Sequence, residues 1–148
     1  MESYAGRAAE QATERVNLGI DVELESQEWK TFLDTRANAH DFEIARAGWV
    51  GDYLDPQTFL DMFIIGSGNN DGLYANPKYD ELVKANLLQK SPAREKTMVQ
   101  AETLLIAQDQ AIMPLYFYVS QDLIDTAKWG GWYNNSLGIH NWKFIFKK

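Results

Sequence analysis

Apolar and polar positions change period several times along the chain, and each change marks an element. Ile20, Val22 and Leu24 alternate with Asp21, Glu23 and Glu25, the period of a strand with one wet face. Ser26 follows as a candidate N-cap, and Trp29, Phe32 and Leu33 then form a helical stripe. A second strand fits Phe42 to Ala47. Upstream, residues 3–16 are rich in alanine and glutamate and read as a helix, closed by Asn17 and Gly19. Helix, strand, helix, strand in succession favours a βαβ unit with parallel strands.

Three helix starts of one kind come next. Asp55-Pro56, Asn76-Pro77 and Ser91-Pro92 each set a capping side chain before proline at the first helical position. Apolar stripes follow each of them: Phe59, Leu60, Phe63 and Ile64; Tyr79, Leu82, Val83 and Leu87; Met98, Ala101, Leu104 and Leu105. A glycine- and asparagine-rich loop at 66–72 separates the first two helices. Residues 112–119, IMPLYFYV, are apolar throughout and aromatic-rich, which predicts a buried strand, with Pro114 at an edge or bulge. After a Gly130-Gly131 break, a last strand is expected at Lys143 to Phe146. The fold expected is α/β: parallel strands at 20–25 and 42–48, with the 112–119 strand, covered by helices.

Composition narrows the function. A chain of 148 residues with 45% hydrophobic content fits one domain with a real core. A formal charge of −7 argues against nucleic acid and anionic membrane surfaces and suits a ligand carrying a cation. Without cysteine there are no disulfides, thiolate metal sites or thiol nucleophiles. No apolar run is long enough to span a membrane, and no signal-peptide core is present at the N-terminus. His40 and His140 lack metal-ligand spacing, Ser67 and Ser120 lie in no nucleophile elbow, and no phosphate loop or dinucleotide fingerprint occurs. No enzyme activity, cofactor or metal is expected.

The stretch AGWVGDYLDPQTFL resembles the C-terminal lobe of the oligopeptide- and dipeptide-binding proteins of ATP-driven importers, extracellular solute-binding protein family 5. GNNDGLYANPKYDELV, AETLLIAQDQAIMPLYFYVSQDLI and the aromatic end agree with that family in order and spacing. Together these stretches cover most of residues 17–148, whereas 1–16 match weakly and read as an altered or engineered helix. The resemblance implies one lobe of a two-lobe, periplasmic-binding-protein-like fold that closes on a short peptide. The implied location is periplasmic, or extracellular and membrane-associated. The implied partners are the missing N-terminal lobe and the membrane permease. A second reading makes the chain an isolated or engineered lobe without affinity of its own, dimeric or domain-swapped.

The resemblance also places residues. Asp52, within Trp49-Val50-Gly51-Asp52, would take the ligand's free amino terminus, because an ammonium pairs best with a carboxylate. Its bland alternative is an ordinary loop aspartate. The backbone of Gly48 and Val50 would pair with the peptide as an added strand. Asp55 is expected to cap a helix. Trp49 is open between lining the pocket and filling the core. Tyr116 and Tyr118, two apart, share a face and offer hydroxyls to the cleft or pack inside. Asn69 is a ligand candidate set against a turn role for it and Asn70. Trp129, Trp132 and Trp142 suggest a carbohydrate platform, set against the preferred reading that they pack the tail.

Overall fold

The structure is a computed structural model that describes residue 17 and residues 19–119, 121–135 and 138–148. The helix expected at 3–16 lies outside the described residues. Helix α1, Trp29–Asp34, runs on into a π-helical turn, Thr35–Ala39. Its cap is Glu28, not Ser26: the Glu28 carboxylate accepts from the amides of Lys30 at 2.9 Å and Thr31 at 3.3 Å. Helix α2, Gln57–Leu60, tightens into a 3-10 turn at Asp61–Phe63. Helix α3 is Pro77–Asn86, and α4, Ala93–Thr103, continues as a π-helical turn at Leu104–Gln108.

Two of the three proline-led starts use the expected cap. Asn76 Oδ1 accepts from the Lys78 amide at 3.0 Å, and Asp55 Oδ1 accepts from the Gln57 amide at 2.9 Å. Each satisfies an amide that lacks an intrahelical partner. Ser91 does not cap α4, which begins without a side-chain cap. Asp55 does more than cap: Arg94 in the first turn of α4 meets the same oxygen at 2.6 Å. The 49–56 loop is thereby tied to two helices.

The core lies among α2, α3 and α4. Leu60, Tyr79, Val83, Ala101, Leu104 and Leu105 are buried, with Phe63, Ile64, Leu82, Met98 and Ile112 packed against them. Most of the three predicted stripes are therefore inside; Phe59 and Leu87, at their margins, stay exposed. Tyr79 is fully buried and its hydroxyl donates to the Leu60 carbonyl at 2.8 Å, joining α3 to the C-terminal end of α2. Burial drives the Tyr79 phenol well above its ordinary pKa, so it stays a neutral donor.

The expected sheet is the main correction. Residues 20–25, 42–48 and 112–119 are not strands, and the ladder seen among the described residues is antiparallel, between β1, Trp129–Gly130, and β2, Phe146–Lys147. The expected last strand is likewise displaced, with Trp142–Phe144 forming a 3-10 turn before β2. Beyond the half-buried Ile112 the run is not buried: Met113, Leu115, Phe117 and Val119 are exposed, Phe117 at 96%. Ile20, Leu24 and Ile44 are exposed too. Alternation and apolar runs show that a segment can enter a sheet. The ladder itself needs a neighbouring backbone to take its amides and carbonyls. The Gly130-Gly131 break is structural: a Cβ at Gly130 would overlap the Phe146 ring, and Gly131 has φ +83° against the Phe144 carbonyl.

Two outcomes follow from the packing. Tyr79→Phe removes this bond between α3 and α2 and should cost about 0.5–1.5 kcal/mol of stability, read from the urea midpoint. Acid should also weaken the fold. The Arg94 hydrogen bond, then the Gln57 amide, hold the Asp55 carboxyl below its ordinary value; bonds from Tyr74 and Asn76 do so for Asp109. Because the folded values are depressed, the unfolded chain takes up these protons first as pH falls. The contribution is complete above the ordinary value of 3.8 and is lost as pH drops through the folded values. Denaturant midpoints at about pH 6 and about pH 3 should differ less in Asp55→Asn than in the unaltered chain.

Candidate functional site

The loop between residue 48 and α2 folds back over the first turn of that helix. Thr58, the second residue of α2, is buried, and its Oγ1 accepts from the Asp52 amide at 3.1 Å and from Trp49 Nε1 at a longer 3.4 Å. Gly51 makes the approach feasible: a Cβ there would lie 3.1 Å from Thr58 Cγ2. On the far side of the loop, Asp55 is held by the Gln57 amide and by Arg94. Asp52 thus sits between two fixed points.

Beside the loop is a hollow of about 160 Å³, lined by Trp49, Asp52, Tyr53 and Thr58 together with Asp61, Met62, Ser67 and Asn69. It brings together three of the residues singled out in the sequence: Trp49, Asp52 and Asn69. Among the described residues no lysine, arginine or histidine forms an ion pair with Asp52. No basic residue lines the hollow, and its other carboxylate, Asp61, accepts from the Tyr53 hydroxyl at 3.0 Å and from the Gln57 amide nitrogen. The negative character reaches Tyr53. Its phenol is pushed above the ordinary value by burial, then by the bond to Asp61, then by the charges of Asp61, Asp55 and Asp52. A small cationic group is the chemistry that such a surface attracts.

The loop carrying Asn69 is fixed from two sides. Arg36 Nε lies 2.6 Å from Asp71 Oδ2, and His40 Nδ1 lies 2.8 Å from the Asp71 carbonyl. Asn70 is buried and clamps Tyr74, donating to its carbonyl at 2.7 Å and accepting from its amide at 3.0 Å. The two asparagines divide the work: Asn70 closes the turn, and the exposed Asn69 faces the hollow.

Gly48, Val50, Tyr116 and Tyr118 are not among the residues lining this hollow. Gly48 packs on the Tyr118 ring, where a Cβ would sit 3.4 Å from Cε2. Tyr116 and Tyr118 do share a face: their hydroxyls are 3.2 Å apart, their rings meet edge to face at 5.0 Å, and Arg46 Nη2 donates to both hydroxyls. Val50 is exposed. Sequence reasoning missed Thr58, Tyr53, Asp61 and Arg46. Thr58 had one usable signal: a first-turn threonine faces back toward the loop that enters its helix.

A larger hollow, about 400 Å³, lies at the aromatic end among Trp129, Trp132, Trp142 and Ile145 with Leu123 and Asp122. Trp132 stacks on the His140 ring at 3.7 Å and tilts against Trp142 at 6.4 Å. One Trp132 face is used this way, while Trp129 and Trp142 remain exposed beside the hollow.

Among the described residues no group of three or more potential ligands could hold a metal ion, and no helix is long and apolar enough to cross a membrane.

Comparison with known proteins agrees with these motifs. The family pattern of the bacterial extracellular solute-binding proteins, family 5 Middle, matches residues 6–71. The periplasmic oligopeptide-binding protein OppA of Salmonella typhimurium is 38% identical over 125 residues, which is 84% of this chain and 22% of that protein. The crystal structure of a periplasmic oligopeptide-binding protein from Borrelia burgdorferi superposes with a TM-score of 0.81 at 33% identity, over 97% of this chain and 29% of that one. Listeria monocytogenes OppA bound to peptide gives 0.64 at 35% identity, over 76% and 21%. This chain spans about a fifth of the Salmonella protein's length. On these matches, the chain belongs to the bacterial extracellular solute-binding proteins of family 5.

Proposed function

We propose that this chain supplies one wall of a cleft that captures short peptides outside the cytoplasm for an ATP-driven importer, and that Asp52 receives the peptide's free amino terminus. The observation that carries the reading is a carboxylate with no basic partner among the described residues, lining a hollow beside an indole and an amide side chain. The relatives add support, since the Salmonella and Borrelia proteins are named as oligopeptide-binding and the Listeria structure holds peptide. The rest of the cleft would come from a second lobe in the longer protein, and the importer's permease would receive the loaded form.

Physics explains why closure would matter. Asp52 is exposed. An ion pair formed there in water is worth only about 0–1 kcal/mol. The same pair gains strength when a second lobe removes water from it, because the effective dielectric falls. Ligand contacts with both lobes would then favour the closed form. Capture of this kind needs no bond-making step, so the reading is binding and not catalysis.

The exposed residues Met113, Leu115, Phe117 and Val119 favour a second reading for the chain on its own: it self-associates through this surface before it binds anything. Light scattering across a concentration series should then show dimers; a monomer at every concentration contradicts that reading.

The main reading is tested in a full-length protein carrying this segment. Asp52→Ala should weaken calorimetric binding of free-amino peptides about tenfold or more and leave their N-acetylated forms nearly unchanged. Equal loss for both peptides would reject the amine role.

A further inference from the structure

We infer that Thr58 is a positioning residue for ligand capture, fixing the Asp52 carboxylate and the Trp49 indole on the wall of the same hollow. The inference rests on the amine-binding reading of Asp52 and extends it to a residue outside the loop.

Three observations converge on this side chain. Thr58 is only 3% exposed, so it cannot serve as a general contact surface for ligand. Its single oxygen accepts from two donors six and nine residues earlier, the Asp52 amide and the Trp49 indole. Its methyl group faces Gly51, where any added side chain would be crowded at 3.1 Å. Oxygen and methyl together therefore grip the loop at residues 49, 51 and 52.

The grip concerns order more than stability. The Asp52 residue is exposed, so its amide would find water if Thr58 let go. What would be lost is a defined direction for the carboxylate. A loop free to sample other directions must be ordered at the moment of binding, and that ordering reduces affinity. Helix α2 is a rigid base for this purpose, since Tyr79 bonds the Leu60 carbonyl at its other end. Asp55 and Arg94 hold the loop's exit but make no contact that orients residues 49–52.

The test compares binding of trialanine and N-acetyl-trialanine by calorimetry in a full-length protein carrying this segment. The readout is the ratio of the two affinities, which is insensitive to any inactive fraction. Thr58→Val keeps the shape and the methyl contact but removes the acceptor. It should lower the preference for the free amine about fivefold. Thr58→Ser restores the oxygen and should recover most of that preference. Thr58→Ala provides the same loss of oxygen if the valine variant folds poorly.

An unchanged ratio in both the valine and alanine variants overturns the inference, as does an equal loss of affinity for the two peptides, which would mark Thr58 as merely structural. Asp52→Asn, measured alongside, separates the two levels. If it abolishes the preference while the Thr58 variants leave it intact, only the positioning role fails. If it leaves the preference intact, or the unaltered protein binds neither peptide, the amine-binding reading fails and this inference falls with it.

Discussion

The contact between Tyr79 and the Leu60 carbonyl organises this chain. It joins α3 to the end of a helix only four residues long, Gln57–Leu60, which could not stand alone. Once α2 is held, its first turn becomes a fixed surface. Thr58 and Asp55 then take hold of the preceding loop from two directions. The carboxylate proposed to meet ligand is thus two hydrogen-bonded steps from the core. A hydrophobic cluster of ordinary composition sets the direction of a charged group that itself stays in water.

The charge pattern fits that arrangement. Three arginines are engaged with other groups: Arg94 with Asp55, Arg36 with Asp71, and Arg46 with the two tyrosine hydroxyls. Each fixes a piece of scaffold. Asp52 is left without a basic partner among the described residues, and the Tyr53 phenol is raised by burial first and then by Asp61, Asp55 and Asp52. A carboxylate with acid neighbours and no counterion among the described residues attracts a cation from outside, which is the electrostatic basis of the proposed recognition.

Helices were legible in the sequence because their determinants are local. Asp55-Pro56 and Asn76-Pro77 carry their own caps, and stripes such as Tyr79, Leu82 and Val83 need only a neighbouring face to bury. Strands depend on a partner that the local pattern does not specify, so 20–25, 42–48 and 112–119 were assigned a sheet that the described residues do not form. The site was half legible. Trp49, Asp52 and Asn69 were named and do share a hollow, but the residues joining them, Thr58 above all, carry no motif. Gly48, Tyr116 and Tyr118 do not line that hollow: Gly48 packs on the Tyr118 ring, and both tyrosine hydroxyls meet Arg46. That division depends on where the chain returns after α4, which spacing along the sequence does not encode.

The central claim is that the carboxylate of residue 52 is the counterion of a peptide's amino terminus. A crystal structure of a full-length protein carrying this segment, grown with a free-amino tripeptide, tests it most directly. The account predicts the terminal nitrogen about 2.7–2.9 Å from an Asp52 oxygen, beside the Trp49 ring. A terminal nitrogen held by another group, or turned to solvent with Asp52 left bare, would contradict it.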